Sequence, residues 1–167
     1  MLCYWPNEEG RVLASHHTKD KGDLGVYKVI ADLGRHDIHS CIPVSGHLPF
    51  DLVAVSRDGD LRKVQVKYRS LSKIGNIVID FTSNYSDKKG VHKKLVDLSS
   101  FDCYALYCPQ TDKVYYVRND EIAPSIQRCF TIRIEPPRNK QRQRVNLASE
   151  YEGAERIFTY CPRSSIG

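Results

Sequence analysis

Pro49-Phe50-Asp51-Leu52-Val53-Ala54-Val55-Ser56-Arg57-Asp58-Gly59-Asp60-Leu61-Arg62-Lys63-Val64-Gln65-Val66-Lys67-Tyr68 holds two alternating runs separated by Asp-Gly, a strong local signal for a β-hairpin. Side chains alternate along a strand, so Gln65 and Lys67 share one face of the second run while Val64 and Val66 share the other. The face taken by Asp51 depends on the turn. A two-residue Asp58-Gly59 loop sets Asp51 opposite Val66, on the wrong face; a three-residue loop, Arg57-Asp58-Gly59 or Asp58-Gly59-Asp60, sets it opposite Gln65 or Lys67. We expect the three-residue loop, with a bulge at Gly59, because only that loop brings a carboxylate, an amide and an ammonium together.

Upstream of this hairpin, Val26, Val29, Ile30 and Leu33 recur at helical spacing, predicting an amphipathic helix that ends near Gly34, with Asp20 or Asp23 in its first turn. Residues 38–44 read as a strand between the two. Downstream, residues 75–81 read as a strand, 82–90 as a polar loop, and Val91, Leu95 and Leu98 are spaced for a short second helix. Two strands, 103–108 and 113–118, flank the turn Pro109-Gln110-Thr111-Asp112; a helical turn over 120–127 and a strand over 130–134 follow. The order predicts an α+β, or mixed α/β, domain: a central mixed sheet flanked by helices. We divide the chain into an N-terminal extension (1–15), a core (16–135) and a basic C-terminal segment (136–167).

A length of 167 residues fits one domain, large enough for its own core. No apolar run reaches the ~18 residues of a membrane span, and the N-terminal stretch lacks the pattern of a secretion signal, so we expect a cytoplasmic protein without membrane contact. The six cysteines form no CxxC pair, which argues against structural zinc; Cys103 and Cys108 bracket an apolar stretch and read as reduced core thiols. The Asn84-Tyr85-Ser86 sequon carries no meaning inside a cell. No nucleophile elbow, HExxH or GxxxxGK loop is present, which removes protease, nucleophile-elbow hydrolase and NTPase classes. His16, His17 and His47 stand near the motifs and read as loop-surface residues.

The net charge of +5 leans toward polyanions. Arg57, Arg62, Lys63, Arg69 and Lys73 flank the hairpin motif in sequence, Lys88, Lys89, Lys93 and Lys94 follow, and Arg138, Lys140, Gln141, Arg142 and Arg144 form a terminal run. Such residues suit phosphates, and the glutamines base edges. The trio itself admits two readings. Asp51, an amide oxygen and an exposed backbone carbonyl offer hard oxygen ligands to a divalent ion, beside a lysine that can hold a water or a phosphate oxygen; or Asp51 and Lys67 form a plain salt bridge on a polar strand face.

Gly22-Asp23-Leu24-Gly25 leading into an apolar helix, then Pro49-Phe50-Asp51-Leu52-Val53, then Val64-Gln65-Val66-Lys67-Tyr68-Arg69, resembles the PD-(D/E)XK nucleases. More closely, it resembles the group I intron-associated homing endonucleases and their uncharacterised relatives, which use Gln at the (D/E) position. The likeness runs from about His16 through Val117 and, more loosely, through 130–139. It implies a restriction-endonuclease-like core and Mg²⁺-dependent hydrolysis of DNA phosphodiesters, with Mn²⁺ able to substitute. Carried over, Asp51 is the motif aspartate, Gln65 the variable acidic position, Lys67 the motif lysine and Asp23 the acid of the first helix. Asp51, Gln65 and the Val66 carbonyl would hold the metal. The sequence departs from the pattern at Gln65, a neutral ligand, and at Val26, where some relatives carry Glu. Double-strand cleavage by so small a subunit implies a homodimer or larger homo-oligomer on double-stranded DNA. A structure-selective nuclease of the four-way-junction-resolvase kind and a catalytically inactive DNA-binding module remain as alternatives.

Overall fold

The computed structural model describes residues 17–87, 90–122, 128–136 and 145–159. The expectations for residues 1–15, for the end of the helical turn at 123–127, for Lys88 and Lys89, and for the run containing Arg138, Lys140, Gln141, Arg142 and Arg144 lie outside these residues. Helix α1 spans His17–Arg35, with Asp20 in its first turn and Gly25, Val29 and Leu33 buried. Asp23 falls one turn further on. The helix ends where the Ile38 N–H donates to the Leu33 carbonyl at 3.0 Å, and Asp37 takes a left-handed φ of 57° to turn the chain into β1 (His39–Cys41).

Strands β2 (Leu52–Val55) and β3 (Leu61–Tyr68) pair antiparallel, with Leu52 opposite Val64 and Val55 opposite Leu61. The Ser56 N–H donates to the Asp60 carbonyl at 2.9 Å, and the Gly59 N–H donates to the Ser56 carbonyl at 3.1 Å. The loop is therefore Arg57-Asp58-Gly59, three residues, with Gly59 at φ +88° in the bulge position that a side chain resists.

Strands β4 (Asn76–Asp80) and β9 (Cys129–Arg133) form a small antiparallel sheet. The main sheet is completed by β7 (Cys103–Cys108) and β8 (Lys113–Arg118), in the order β1-β2-β3-β7-β8. Strand β7 runs parallel to β3 and antiparallel to β8, so the five-stranded sheet is mixed. Every residue of β7 is buried, because layers cover both of its faces. On one face Val64, Val66, Ala105 and Tyr116 pack under Val29 and Leu33 of α1. On the other, Tyr104, Leu106 and Val117 pack under Ile77, Ile79 and Ile132 of the small sheet. Ala148, Tyr151, Ala154 and Ile157 are buried in these layers too, so core packing continues past residue 135. Cys103 and Cys108 are buried free thiols, as expected.

The second helix expected around Val91, Leu95 and Leu98 does not form, and the described part of the loop expected over 82–90 is strand instead. Residues 82–87 are strand β5 and 90–95 strand β6, paired antiparallel from Thr82 opposite Leu95 to Asp87 opposite Gly90. A spacing of four residues fits a helix face and a strand face alike. What decides here is that Val91 and Leu95 are 72% and 67% exposed, so no core seats them as a helix stripe. The expected helical turn after β8 is α2 (Asn119–Ile122), anchored by buried Ile122. Among the described residues no helix is long and apolar enough to cross a membrane.

Gly25 sets how closely α1 lies on β3. A Cβ there would stand 3.5 Å from Val66 Cγ1 and 3.6 Å from Tyr68 Cβ and N, ordinary contact that leaves room for a methyl and nothing larger. Gly25→Ala is expected to hold or raise stability, by up to about 1 kcal/mol from helix propensity. Gly25→Leu is expected to lower it by about 1–3 kcal/mol through overpacking. Urea unfolding midpoints of the two variants check both signs.

Candidate active site

Strand β2 pairs with only the first half of β3, so on that side the edge of β3 from Gln65 to Tyr68 has no strand beside it among the described residues. Asp51, the residue before β2, occupies the start of that gap. Its N–H donates to the Val64 carbonyl at 2.9 Å, continuing the ladder by one bond. Its carboxylate then takes the place of the missing strand: Oδ2 accepts the Val66 N–H at 2.7 Å and also the Gln65 side-chain amide. The Gln65 Nε2 lies 3.5 Å from the Val66 carbonyl as well. The amide group thus spans the Asp51 carboxylate and the next free backbone oxygen along the edge. The three-residue loop is what permits this, because it carries Asp51 to Gln65 rather than past it.

An open cleft of about 460 Å³ runs along this edge, bounded by α1. The strand side contributes Asp51, Val66, Lys67, Tyr68 and Arg69, and the helix side Thr18, Lys19, Lys21, Gly22, Asp23 and Val26. Asp23, Asp51 and Lys67 therefore share one cleft, with Gln65 bonded to Asp51. Lys19 and Lys21 escaped the sequence analysis. For Lys19 the signal was present, since Lys19 and Asp23, like Thr18, Gly22 and Val26, recur every four residues along α1. Lys21 Nζ also stands over the Tyr68 ring, 5.8 Å from its centre.

Burial raises the Asp51 carboxyl above the ordinary carboxylate range, outweighing the Val66 N–H and the Lys67 charge that pull it down. Burial also lowers the Lys67 ammonium, helped by the like charge of Arg69 and opposed by Asp51. The two groups are thus drawn toward each other from opposite ends of the pH scale, a pattern common where protons are exchanged. Beside Gln65 in the sheet register stands Tyr104, whose buried hydroxyl has no hydrogen-bond partner among the described residues and is pushed up to about 12, mainly by burial.

The basic residues near the motif in sequence do not gather at the cleft. Arg69 lines it, with Nη1 donating to the Tyr68 carbonyl at 3.1 Å. Arg57 lies on the hairpin loop, paired with Asp37 at 2.5 Å, and Arg62 stacks 5.8 Å from the centre of the Phe158 ring. Strands rise about 3.3 Å per residue, so Arg62 stands roughly 16 Å along β3 from Lys67. Lys63 shares that remoteness, its N–H held by Asp102 at 2.7 Å. Lys73 is exposed on the connection after β3.

The donor set suits a hard divalent ion. The Asp51 carboxylate and the Val66 carbonyl flank the Gln65 amide, and turning that amide end for end presents Oε1 in place of Nε2, so that all three groups offer oxygen. Only one of the three donors is charged. Among the described residues no group of three or more His, Cys, Asp or Glu is arranged to hold a metal.

The sequence profile of the PD-(D/E)XK endonucleases matches residues 16–154. Among solved structures the chain is similar to a bacterial homing endonuclease, I-Ssp6803I, at 25% identity and a TM-score of 0.68, over 84% of this chain and 92% of that one. No curated protein matches the sequence.

The buried Asp51 carboxyl makes stability depend on pH. A folded-state pKa above the ordinary value of 3.8 means that its contribution is whole below that value and is lost as pH rises through the folded one. Each unit of rise corresponds to about 1.4 kcal/mol. Urea unfolding followed from about pH 3.5 to 7 is expected to show this fall in the wild type, over the usual carboxylate background. Asp51→Asn is expected to flatten it.

Proposed function

The chain belongs to the PD-(D/E)XK endonuclease family, and on that premise we propose that it is a Mg²⁺-dependent, site-specific endonuclease of double-stranded DNA, of the intron-homing type. The observation that carries this is the unpaired edge of β3, where Asp51, the Gln65 amide and the Val66 carbonyl converge next to Lys67. The likeness to a homing endonuclease over most of both chains supports the type. PD-(D/E)XK nucleases generally use divalent metal ions.

Asp51, Gln65 Oε1 and the Val66 carbonyl would hold Mg²⁺, or Mn²⁺ in its place. Bound there, such an ion offsets the negative charge that builds on the phosphate oxygens during displacement. Lys67, whose proton affinity burial lowers, hydrogen-bonds the attacking water and in its neutral form takes the proton that the water gives up, releasing it afterwards to solvent. The water oxygen bonds to phosphorus as the ester P–O bond breaks, and the leaving oxygen takes a proton from solvent. Asp23, across the cleft on α1, orients the water from the other side. Arg69 and Lys73 meet phosphates beside the cut; Arg57 meets one farther along the duplex, and Arg138, Lys140, Arg142 and Arg144, with Gln141 at the bases, extend the contact. At least two copies act together, since each site addresses one strand.

One observation favours a second reading, a DNA-binding module without turnover. The Gln65 amide already bridges the oxygens that a metal would need, and a neutral ligand holds Mg²⁺ less firmly than a carboxylate. Incubation with a mixed genomic DNA pool and with a synthetic four-way junction, in Mg²⁺ and in EDTA, separates the readings by sequencing new ends. Ends recurring at one long sequence, dependent on Mg²⁺, are the expected result. Cleavage confined to the junction would make it a resolvase-like enzyme, and salt-sensitive binding with no cut a module. Lys67→Ala is expected to cut at least about 100-fold more slowly while binding the duplex as the wild type does. Asp51→Ala is expected to lose both cleavage and Mg²⁺ binding, the latter read by calorimetry.

A further inference from the structure

Strands β5 and β6 form a two-stranded ribbon that belongs to neither the five-stranded sheet nor the β4–β9 sheet. Each strand has six residues, about 20 Å at strand rise, joined to the core through its two ends. At that root the Val96 N–H donates to the Phe81 carbonyl at 2.8 Å, and the buried Phe81 ring packs 6.0 Å from the ring of Tyr104. Tyr104 is the neighbour of Gln65 across the β3–β7 pair. The ribbon therefore springs from a point one strand away from the cleft.

Its composition is that of a surface for a polyanion. Lys93, Lys94 and His92 stand against one acid, Asp87. The register pairs Asn84 with Lys93, Tyr85 with His92 and Ser86 with Val91. Val91 and Leu95 remain exposed, with no apolar layer among the described residues to meet them. A two-stranded ribbon fits the major groove of B-DNA, about 12 Å wide, where donors, acceptors and thymine methyls distinguish all four base pairs. Pairing of the ribbon's outer edge with a second copy is the competing occupant. Adjacent lysines are the residues that proteins place on edges to prevent such pairing.

We infer that the β5–β6 ribbon enters the major groove of the duplex beside the cut and reads its bases, making it a specificity element separate from the cleft. The inference rests on the nuclease reading only for the partner, double-stranded DNA. It excludes the turn residues and needs no contribution from the metal.

The test selects duplexes from a library with about 30 randomised base pairs, roughly 100 Å at ~3.4 Å per pair and so several times longer than the ribbon. The bait is the full chain carrying Lys67→Ala, with and without two ribbon changes: Lys93→Ala with Lys94→Ala, and replacement of 84–93 by Asn-Gly, which leaves Ser83 and Lys94 paired across a two-residue turn. The shortened ribbon is expected to lose enrichment at one contiguous block of positions and keep the rest. Guanine N7 methylation within that block is expected to weaken binding of the intact ribbon and not of the shortened one. The double lysine variant, which preserves the ribbon backbone, is expected to flatten the slope of log affinity against log salt by about 2 and lower affinity about 10-fold or more. Unchanged enrichment and salt slope in both variants would overturn the inference, as would a change confined to oligomer mass by sedimentation. If all proteins bind but the Lys67 wild type never cuts, the cleavage reading falls and the ribbon stands; if none binds any duplex, both fall.

Discussion

The Ser56–Asp60 closure around Arg57-Asp58-Gly59 sets the register of β2 on β3, and from that register the cleft follows. A one-residue slip would send Asp51 to the opposite face of the sheet. With the slip excluded, Asp51 arrives where β2 gives out, and its carboxylate accepts the N–H of Val66 that a longer strand would have bonded. Pro49, two residues earlier, has no N–H with which to continue that ladder. The site is thus the end of a strand pairing, and its polar groups are backbone and side-chain groups that the sheet leaves over.

This origin explains the electrostatics. The carboxylate and the Lys67 amine are held near the core layers that cover β3, and burial moves both toward their neutral forms. Their mutual attraction opposes the shift without cancelling it. Stability alone would favour an apolar pair at these positions, since burying two charges costs more than exposed pairing returns. Under the proposed function that cost is offset by the chemistry the pair performs, and helix α1, brought close by Gly25, closes the cleft from the other side with Asp23 and Lys19.

The fold divides labour between rigid and projecting parts. Strand β7, buried on both faces, anchors β3 and carries Tyr104 next to Gln65. The β5–β6 ribbon leaves from the same neighbourhood through Phe81, so a group that reads DNA and a group that cuts it would be tied to one strand pair. Variation in the ribbon can then alter what is read with little effect on the geometry of the cleft.

Much of this was legible in the linear chain because it is local. The apolar stripe of α1, the alternation of β3 and the Asp-Gly turn each depend on residues within a few positions of one another, and together they place Asp51, Gln65 and Lys67 on one strand pair. The order of those motifs also carries the family resemblance. The tertiary structure alone decided the rest. Val91, Leu95 and Leu98 suit a helix or a strand equally, and the absence of a core beneath Val91 and Leu95 selected the strand. Arg62 and Lys63 adjoin the motif in sequence yet stand far from Lys67, because an extended chain converts a few residues into many ångströms. Lys19 and Lys21, dozens of residues away in sequence, reach the cleft because α1 packs across β3. Local spacing determines which face a side chain takes; which faces meet is settled only when the layers close on one another.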